Sequence, residues 1–255
     1  MITEKSLRKI VVVGVGLLLA SVASAHAQIV PVEEAPACAH SFGSGGFVWC
    51  VSEAGNLVSF ASPAGFEHIR VGNVIEGYAV CVPGAGLDPY SDMAIFSSGW
   101  AEPVLIGEPD ETSITIERTT TDGRFTLLQR FVGNRGQRAI EIFMTLTNNL
   151  EELANVRLLR NADLDIDGTR TSDVFDRTLD SAWARQSHAV SLIARNRAVD
   201  HETRLSINLA PRDCTPQSIG VAPTVGRDLA ASVRYDIGTL GTGESRTLRF
   251  IYRVQ

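Results

Sequence analysis

The sequence predicts an all-β protein, an antiparallel β-sandwich large enough for two broad sheets, with a central meander. Three observations carry this. Short runs rich in β-branched and aromatic residues recur across residues 47–254, separated by Gly, Asn, Asp and Pro turn signals. The clearest runs alternate apolar and polar residues with a period of two. No stretch holds an amphipathic pattern three helical turns long, which favours a sandwich over an α/β arrangement.

The first 27 residues read as an export signal. Lys5, Arg8 and Lys9 form a basic start, Ile10 to Ala20 an apolar run, and Ala25-His26-Ala27 a small-x-small cleavage site. The apolar run is too short for a membrane span, which needs about 20 residues. Residues 28–255 are then expected to form a single exported β-sandwich domain, periplasmic or extracellular, with no membrane span. The net charge is −6, and beyond Lys9 every lysine-or-arginine position is arginine. This composition excludes a lysine Schiff base in the exported chain. It also opposes a polybasic surface for nucleic acid or anionic lipid.

Cys38, Cys50, Cys81 and Cys214 remain. An even count in an exported chain points to disulfides, with three possible pairings. Cys50–Cys81 is the preferred pair, because both lie in strand-like runs with turn signals between them. No C-x-x-C pair marks a zinc ribbon or a redox site.

Along the chain, residues 28–46 look irregular. Phe47–Val51 and Asn56–Phe60 flank a Glu-Ala-Gly turn and read as a hairpin. Short strands continue to Val82, a Pro/Gly loop follows to Pro89, and Asp92–Trp100 is a further strand candidate. The strongest segment begins at Ser113. Ser113–Thr120, Arg124–Val132, Arg138–Thr147 and Asn155–Ile166 are expected as four meander strands, the first turn being Asp122-Gly123. Ser181–Arg185 with Ala189–Ile193 forms another hairpin, Glu202–Leu209 alternates weakly, and Pro211–Gly226 is a loop. Ala231–Ile237 and Thr247–Val254 close the chain.

Met144-Thr-Leu-Thr-Asn148 followed by Leu153-Ala-Asn-Val-Arg-Leu158 resembles the paired strands of bacterial extracytoplasmic β-sandwich domains. Leu240–Phe250 is similar to the closing hairpin of that group. The whole exported chain resembles uncharacterised exported bacterial proteins that share the Asp163–Asp167 block and the Phe175-Asp-Arg…Trp183 stretch. More distantly it resembles the large sandwiches of galactose mutarotases and carbohydrate enzymes. The resemblance implies the fold and carries over no catalytic residue.

The acidic block is the main hint of chemistry. Asp163, Asp165, Asp167 and Gly168 match the first half of a calcium loop, in which alternate carboxylates and a turn glycine wrap a hard cation. The twelfth position falls on Val174, so Asp173 or Asp176 would have to complete it. Asp163, Asp165, Asp167 and Asp173 are therefore the candidate metal ligands, with calcium the candidate cofactor. The competing reading is a solvated acidic face paired with Arg160, Arg170 or Arg177. An extended strand spaces alternate carboxylates by roughly 6.5 Å, too far for one ion without a bend, and Gly168 permits one only after Asp167.

No G-x-S-x-G or H-E-x-x-H motif supports nucleophilic or zinc catalysis. Glu67-His68 and Asp200-His201-Glu202 are the other dense clusters. By residue type, His68 and His201 suit the acid role of a mutarotase-like pair. Among the aromatics, Trp49 is expected in the core and Trp183 is open to a stacking role. The sequence thus predicts a non-catalytic binding or structural module whose candidate ligands are carbohydrate, calcium or another surface protein. A mutarotase-like or glycosidase-like carbohydrate enzyme is the alternative.

Overall fold

A computed structural model describes residues 37–69, 76–169, 172–207, 214–215, 218–219 and 223–255, so the predicted export signal lies outside the described residues. In chain order the strands are β1 His40–Ser44, β2 Phe47–Val51, β3 Leu57–Ala61, β4 Glu76–Cys81, β5 Tyr90–Asp92, β6 Ser97–Ser98, β7 Val104–Leu105, β8 Ser113–Thr119 and β9 Phe125–Asn134. There follow β10 Ala139–Asn148, β11 Ala154–Asp163, β12 Val174–Arg177, β13 Ser181–Arg185, β14 Ala189–Ala194, β15 Asp200–Ser206, β16 Thr224–Val225, β17 Ala230–Leu240 and β18 Ser245–Val254. Two 3-10 turns, Arg135–Gln137 and Ile166–Gly168, are the only helical elements among the described residues. The fold is the predicted antiparallel β-sandwich.

Three sheets form it. A nine-stranded sheet runs β16-β12-β13-β14-β18-β10-β9-β8-β7, a six-stranded sheet runs β15-β17-β11-β4-β5-β6, and β1-β2-β3 make a smaller third. Strand alternation builds the core. From the large sheet, Ile140, Ile142, Met144 and Leu146 of β10 and Leu248, Phe250 and Tyr252 of β18 point inward. From the six-stranded sheet they meet Val156 and Leu158 of β11 and Val233 and Tyr235 of β17. Trp49 is buried as expected, stacked on Phe42 with ring centroids 4.3 Å apart.

The meander is real but shorter than predicted. β8, β9 and β10 are adjacent, and the β8–β9 turn uses Gly123 at φ 72°, the left-handed region that glycine enters without penalty. The fourth strand leaves. β11 pairs with β17 and β4 in the opposite sheet, not with β10. Its burial explains this: Leu159 and Asn161 on one face are as buried as Leu158 and Arg160 on the other. The β17–β18 segment, expected as a hairpin, likewise crosses between sheets. Asn148 ties the two crossings together. Its Nδ2 donates to the carbonyls of Glu152, Leu240 and Gly241, and its Oδ1 accepts from the Leu150 amide.

Four short strands were not foreseen. β1 lies in the stretch read as irregular, because Gly43, Gly45 and Gly46 build its turn with positive φ. β7, β12 and β16 fall in stretches read as loop or polar chain. Asp92–Trp100, in contrast, is mostly bends flanking β6.

The disulfides correct the preferred pairing. Cys38 joins Cys50, with Cα atoms 5.7 Å apart, and Cys81 joins Cys214, 6.0 Å apart. Cys50 lies on β2 of the small sheet beside the chain that leads into β1. Cys81 ends β4 in the six-stranded sheet and meets Cys214, which packs with Leu159 and Met93. The two strand-like runs that suggested Cys50–Cys81 lie in different sheets.

A buried ion pair links all three sheets. Glu76 and Arg160 are both fully buried. Glu76 Oε2 accepts from the Leu57 amide at 2.6 Å, and Oε1 accepts from Arg160 Nε and Tyr252 Oη at 2.7 Å. Arg160 also donates to Gln129 Oε1 at 3.0 Å and lies 5.3 Å from the Phe131 ring centroid. Burial pushes the Glu76 carboxyl up, against the opposing pull of the guanidinium.

Two expectations follow. Peptide mapping of non-reduced protein should link Cys38 to Cys50 and Cys81 to Cys214, and losing the second bridge should cost about 2–5 kcal/mol in chemical denaturation. Arg160→Met should destabilise by about 3–5 kcal/mol, because it strands a buried carboxylate. Pairing it with Glu76→Leu should cost less than the two single changes summed.

Candidate functional sites

Two regions place chemistry-bearing side chains together. The first is the outer face of the nine-stranded sheet. Ala182 and Ala184 of β13 enter the core, so Ser181, Trp183 and Arg185 project outward. The register sets Asp176 beside Trp183, Trp183 beside Ser191, and Ser191 beside Arg253. A carboxylate, an indole, a hydroxyl and a guanidinium thus form one row across four strands. Trp183 is half-buried, and the Arg185 guanidinium lies 5.9 Å from its ring centroid. On the same face, Arg249 pairs with Glu141 and sits 5.4 Å from the Phe143 ring centroid.

A cleft of about 730 Å³ lies beside the small sheet. Phe42, Phe47 and Trp49 floor it, and Asp110, Glu111 and Arg135 are among its rim residues. Its aromatic floor is already spent: Phe42 and Trp49 stack on each other, and all three rings are buried. Asp110 is committed to its own turn, where hydroxyl and amide donors of Thr112 and Ser113 hold its carboxyl down to about 2.

The second region is the acidic corner. β11 stops at Asp163, and the chain bends into the 3-10 turn at Ile166, earlier than the glycine alone suggested. Asp167 adopts φ 56°, ψ 24°. The Asp165 amide donates to the His68 carbonyl at 3.1 Å and the Gly168 amide to the Glu67 carbonyl at 2.9 Å, which pins the turn. The bend brings Asp163 and Asp165 together, and Asp228 joins them. Each of the three presents a carboxylate oxygen, and all lie within 4.8 Å of one another.

The other two predicted ligands are placed differently. Asp167 turns away from that cluster. Its Oδ1 meets His188 Nδ1 at 2.6 Å, and its Oδ2 accepts from the amides of Ser187 and His188. Burial raises its carboxyl, but these bonds outweigh it and hold the group below the usual carboxylate range. Asp173 is fully buried. Its Oδ2 accepts from the Ile166 amide at 3.1 Å, while Oδ1 has no hydrogen-bond partner among the described residues. Burial pushes this carboxyl up to about 7, the Ile166 amide opposing and the charges of Asp167 and Asp228 adding to the rise.

Two of the three arginines expected to pair with a solvated acidic face make other contacts. Arg160 pairs with Glu76, and Arg177 donates to the Thr203 carbonyl. Arg170 lies outside the described residues. Sequence reasoning missed Asp228. It sits in a polar stretch two residues before β17, and only the register that pairs Asp163 with Ala230 brings it near.

The histidines suited to mutarotase-like chemistry are bound up. His68 is buried, its Nε2 on the Ser62 carbonyl at 2.8 Å and its Nδ1 accepting from the Asp167 amide at 3.3 Å. Burial lowers its pKa. His201 Nδ1 meets the Val199 carbonyl and its Nε2 meets Asp180 at 3.0 Å. Glu67 accepts from the amides of Phe60, His68 and Ile69 and from the Ser59 hydroxyl, the work of a local cap.

No protein-family model matches the chain, and no curated protein matches it. Among solved structures it is similar to a bacterial glucoamylase complexed with acarbose, with a TM-score of 0.63 at 10% identity. That match covers 87% of this chain and 33% of the glucoamylase, so the chain spans about a third of that protein. It is also similar to a putative aldose 1-epimerase from Escherichia coli K12, with a TM-score of 0.53 at 12% identity, covering 85% of this chain and 98% of that one. An aldose epimerase homologue from C. elegans matches with a TM-score of 0.50 at 10% identity, over 84% of this chain and 98% of the other. At these identities the likeness is one of fold, an antiparallel β-sandwich.

Proposed function

We propose that the protein is an exported, non-catalytic carbohydrate-binding β-sandwich that reads sugar on the outer face of its nine-stranded sheet. The observation that carries this is the Asp176–Trp183–Ser191–Arg253 row. An aromatic face attracts the C–H side of a pyranose ring, and flanking carboxylate and guanidinium groups complement its hydroxyls. Trp183 is half-buried where Trp49 and Trp100 are buried, so it is the tryptophan with ring surface to offer. Two disulfides fit an oxidising compartment, and no helix among the described residues is long and apolar enough to cross a membrane.

The non-catalytic reading is supported by the commitments of His68, His201 and Glu67 to structural hydrogen bonds. A general acid or base must reach the proton it moves. Groups held by backbone amides and carbonyls are poorly placed to do so.

A glycan array followed by calorimetry tests the proposal. Trp183→Ala should weaken binding of the best oligosaccharide at least tenfold while leaving the melting temperature within a few degrees. Glu111→Gln with Arg135→Ala, at the rim of the cleft, should leave affinity unchanged. Binding lost in the cleft variant and kept in Trp183→Ala would move the site. A sugar-anomerisation rate above the uncatalysed one would overturn the non-catalytic reading.

A further inference from the structure

We propose that Asp163, Asp165 and Asp228, backed by Asp173, form a calcium site that clamps the end of β11 to the start of β17. The geometry suits one ion. Calcium holds oxygen ligands at about 2.4 Å, so two oxygens on one ion lie at most about 4.8 Å apart. The three carboxylates meet that limit mutually, although they come from positions up to 65 residues apart in the chain. Two of them are withdrawn from water, Asp163 being 4% exposed and Asp165 2%. Anionic groups brought this close and shielded from solvent repel strongly, and a divalent cation reverses the sign of that interaction.

Asp173 supplies an independent observation. It is fully buried, one oxygen is fixed by the Ile166 amide beside Asp165, and the other is unpartnered among the described residues. A buried carboxylate with an open oxygen lacks the partner that such groups ordinarily have. The Gly226 amide donates to the Asp173 backbone carbonyl at 3.4 Å, which ties Asp173 to the chain that leads into Asp228. Coordination to the ion, directly or through one water, would satisfy that oxygen.

The site differs from the loop motif that first drew attention. A helix–loop–helix calcium loop draws its ligands from twelve consecutive residues. Here Asp167 is given over to His188, and a residue from the neighbouring strand's approach takes its place. All-carboxylate ligation and loose geometry fit calcium better than magnesium, which demands a tighter octahedron. The site shares no residue with the Trp183 row, and its failure would leave the carbohydrate reading untouched.

The test uses the full chain stripped with a chelator. Calcium chloride should bind with a stoichiometry of one by calorimetry and raise the melting temperature by several degrees. Asp228→Asn should abolish both responses. Without calcium this variant should melt above the stripped wild type, because one repelling charge is gone, so a loss of response cannot be misread as misfolding. Asp167→Asn should retain calcium binding. No heat and no thermal shift in the wild type would overturn the proposal, as would a calcium response that survives in Asp228→Asn. An equal response to magnesium chloride would overturn the assignment to calcium.

Discussion

The Glu76–Arg160 pair is the constraint on which the sandwich depends. Glu76 takes an amide from β3, a guanidinium from β11 and a phenol from β18, so one carboxylate holds a strand from each sheet. Only arginine can answer it. Its fork of donors reaches Glu76, Gln129 and the Gly55 carbonyl at once, while its plane lies against Phe131 and Tyr78. A hydrophobic substitute would fill the space but leave the three sheets without a shared register mark. Buried charge of this kind adds little net stability when complete and costs much when broken. Its contribution is to specify one docking of the sheets over others.

The acidic corner obeys the same physics with the opposite balance. In the core each buried carboxylate oxygen meets a donor. At the end of β11, three carboxylates converge, and a fourth, on Asp173, keeps an open oxygen. The neighbouring Asp167 shows what a satisfied acid looks like in the same turn, with both oxygens bonded to His188 and Ser187. The contrast between the bonded Asp167 and the open oxygen of Asp173, more than the density of acids, marks this corner off from the core.

Local signals in the sequence were read correctly where they were sufficient. Asp122-Gly123 between alternating runs specified the β8–β9 hairpin, because a positive-φ turn leaves few other outcomes. β11 was recognised as a strand but assigned to the wrong sheet. Alternation shows which residues share a face and is silent on which partner covers each face; Leu159 gave no sign that Cys214 and Met93 would pack on it. The same silence misled the cysteine pairing. For the acidic corner, Asp163 and Asp165 were legible from their spacing. Asp228 was not, since its approach depends on long-range pairing of β11 with β17. The prominence of Trp183 was only half visible: alternation put it opposite Ala182 and Ala184, but which face met water needed the second sheet.

The nine-stranded sheet ends in two strands of two residues each, β16 and β7. Strands that short expose almost no ladder of unpaired amides and carbonyls, so a passing extended chain finds little backbone to zip onto. Val104 and Val225, half or more exposed at these margins, sit on stubs too brief to template growth. The broadest surface of the molecule is therefore closed to recognition by strand addition. Whatever binds the sheet must do so through the side chains of its face, and neighbouring copies are denied the easiest route to fibres.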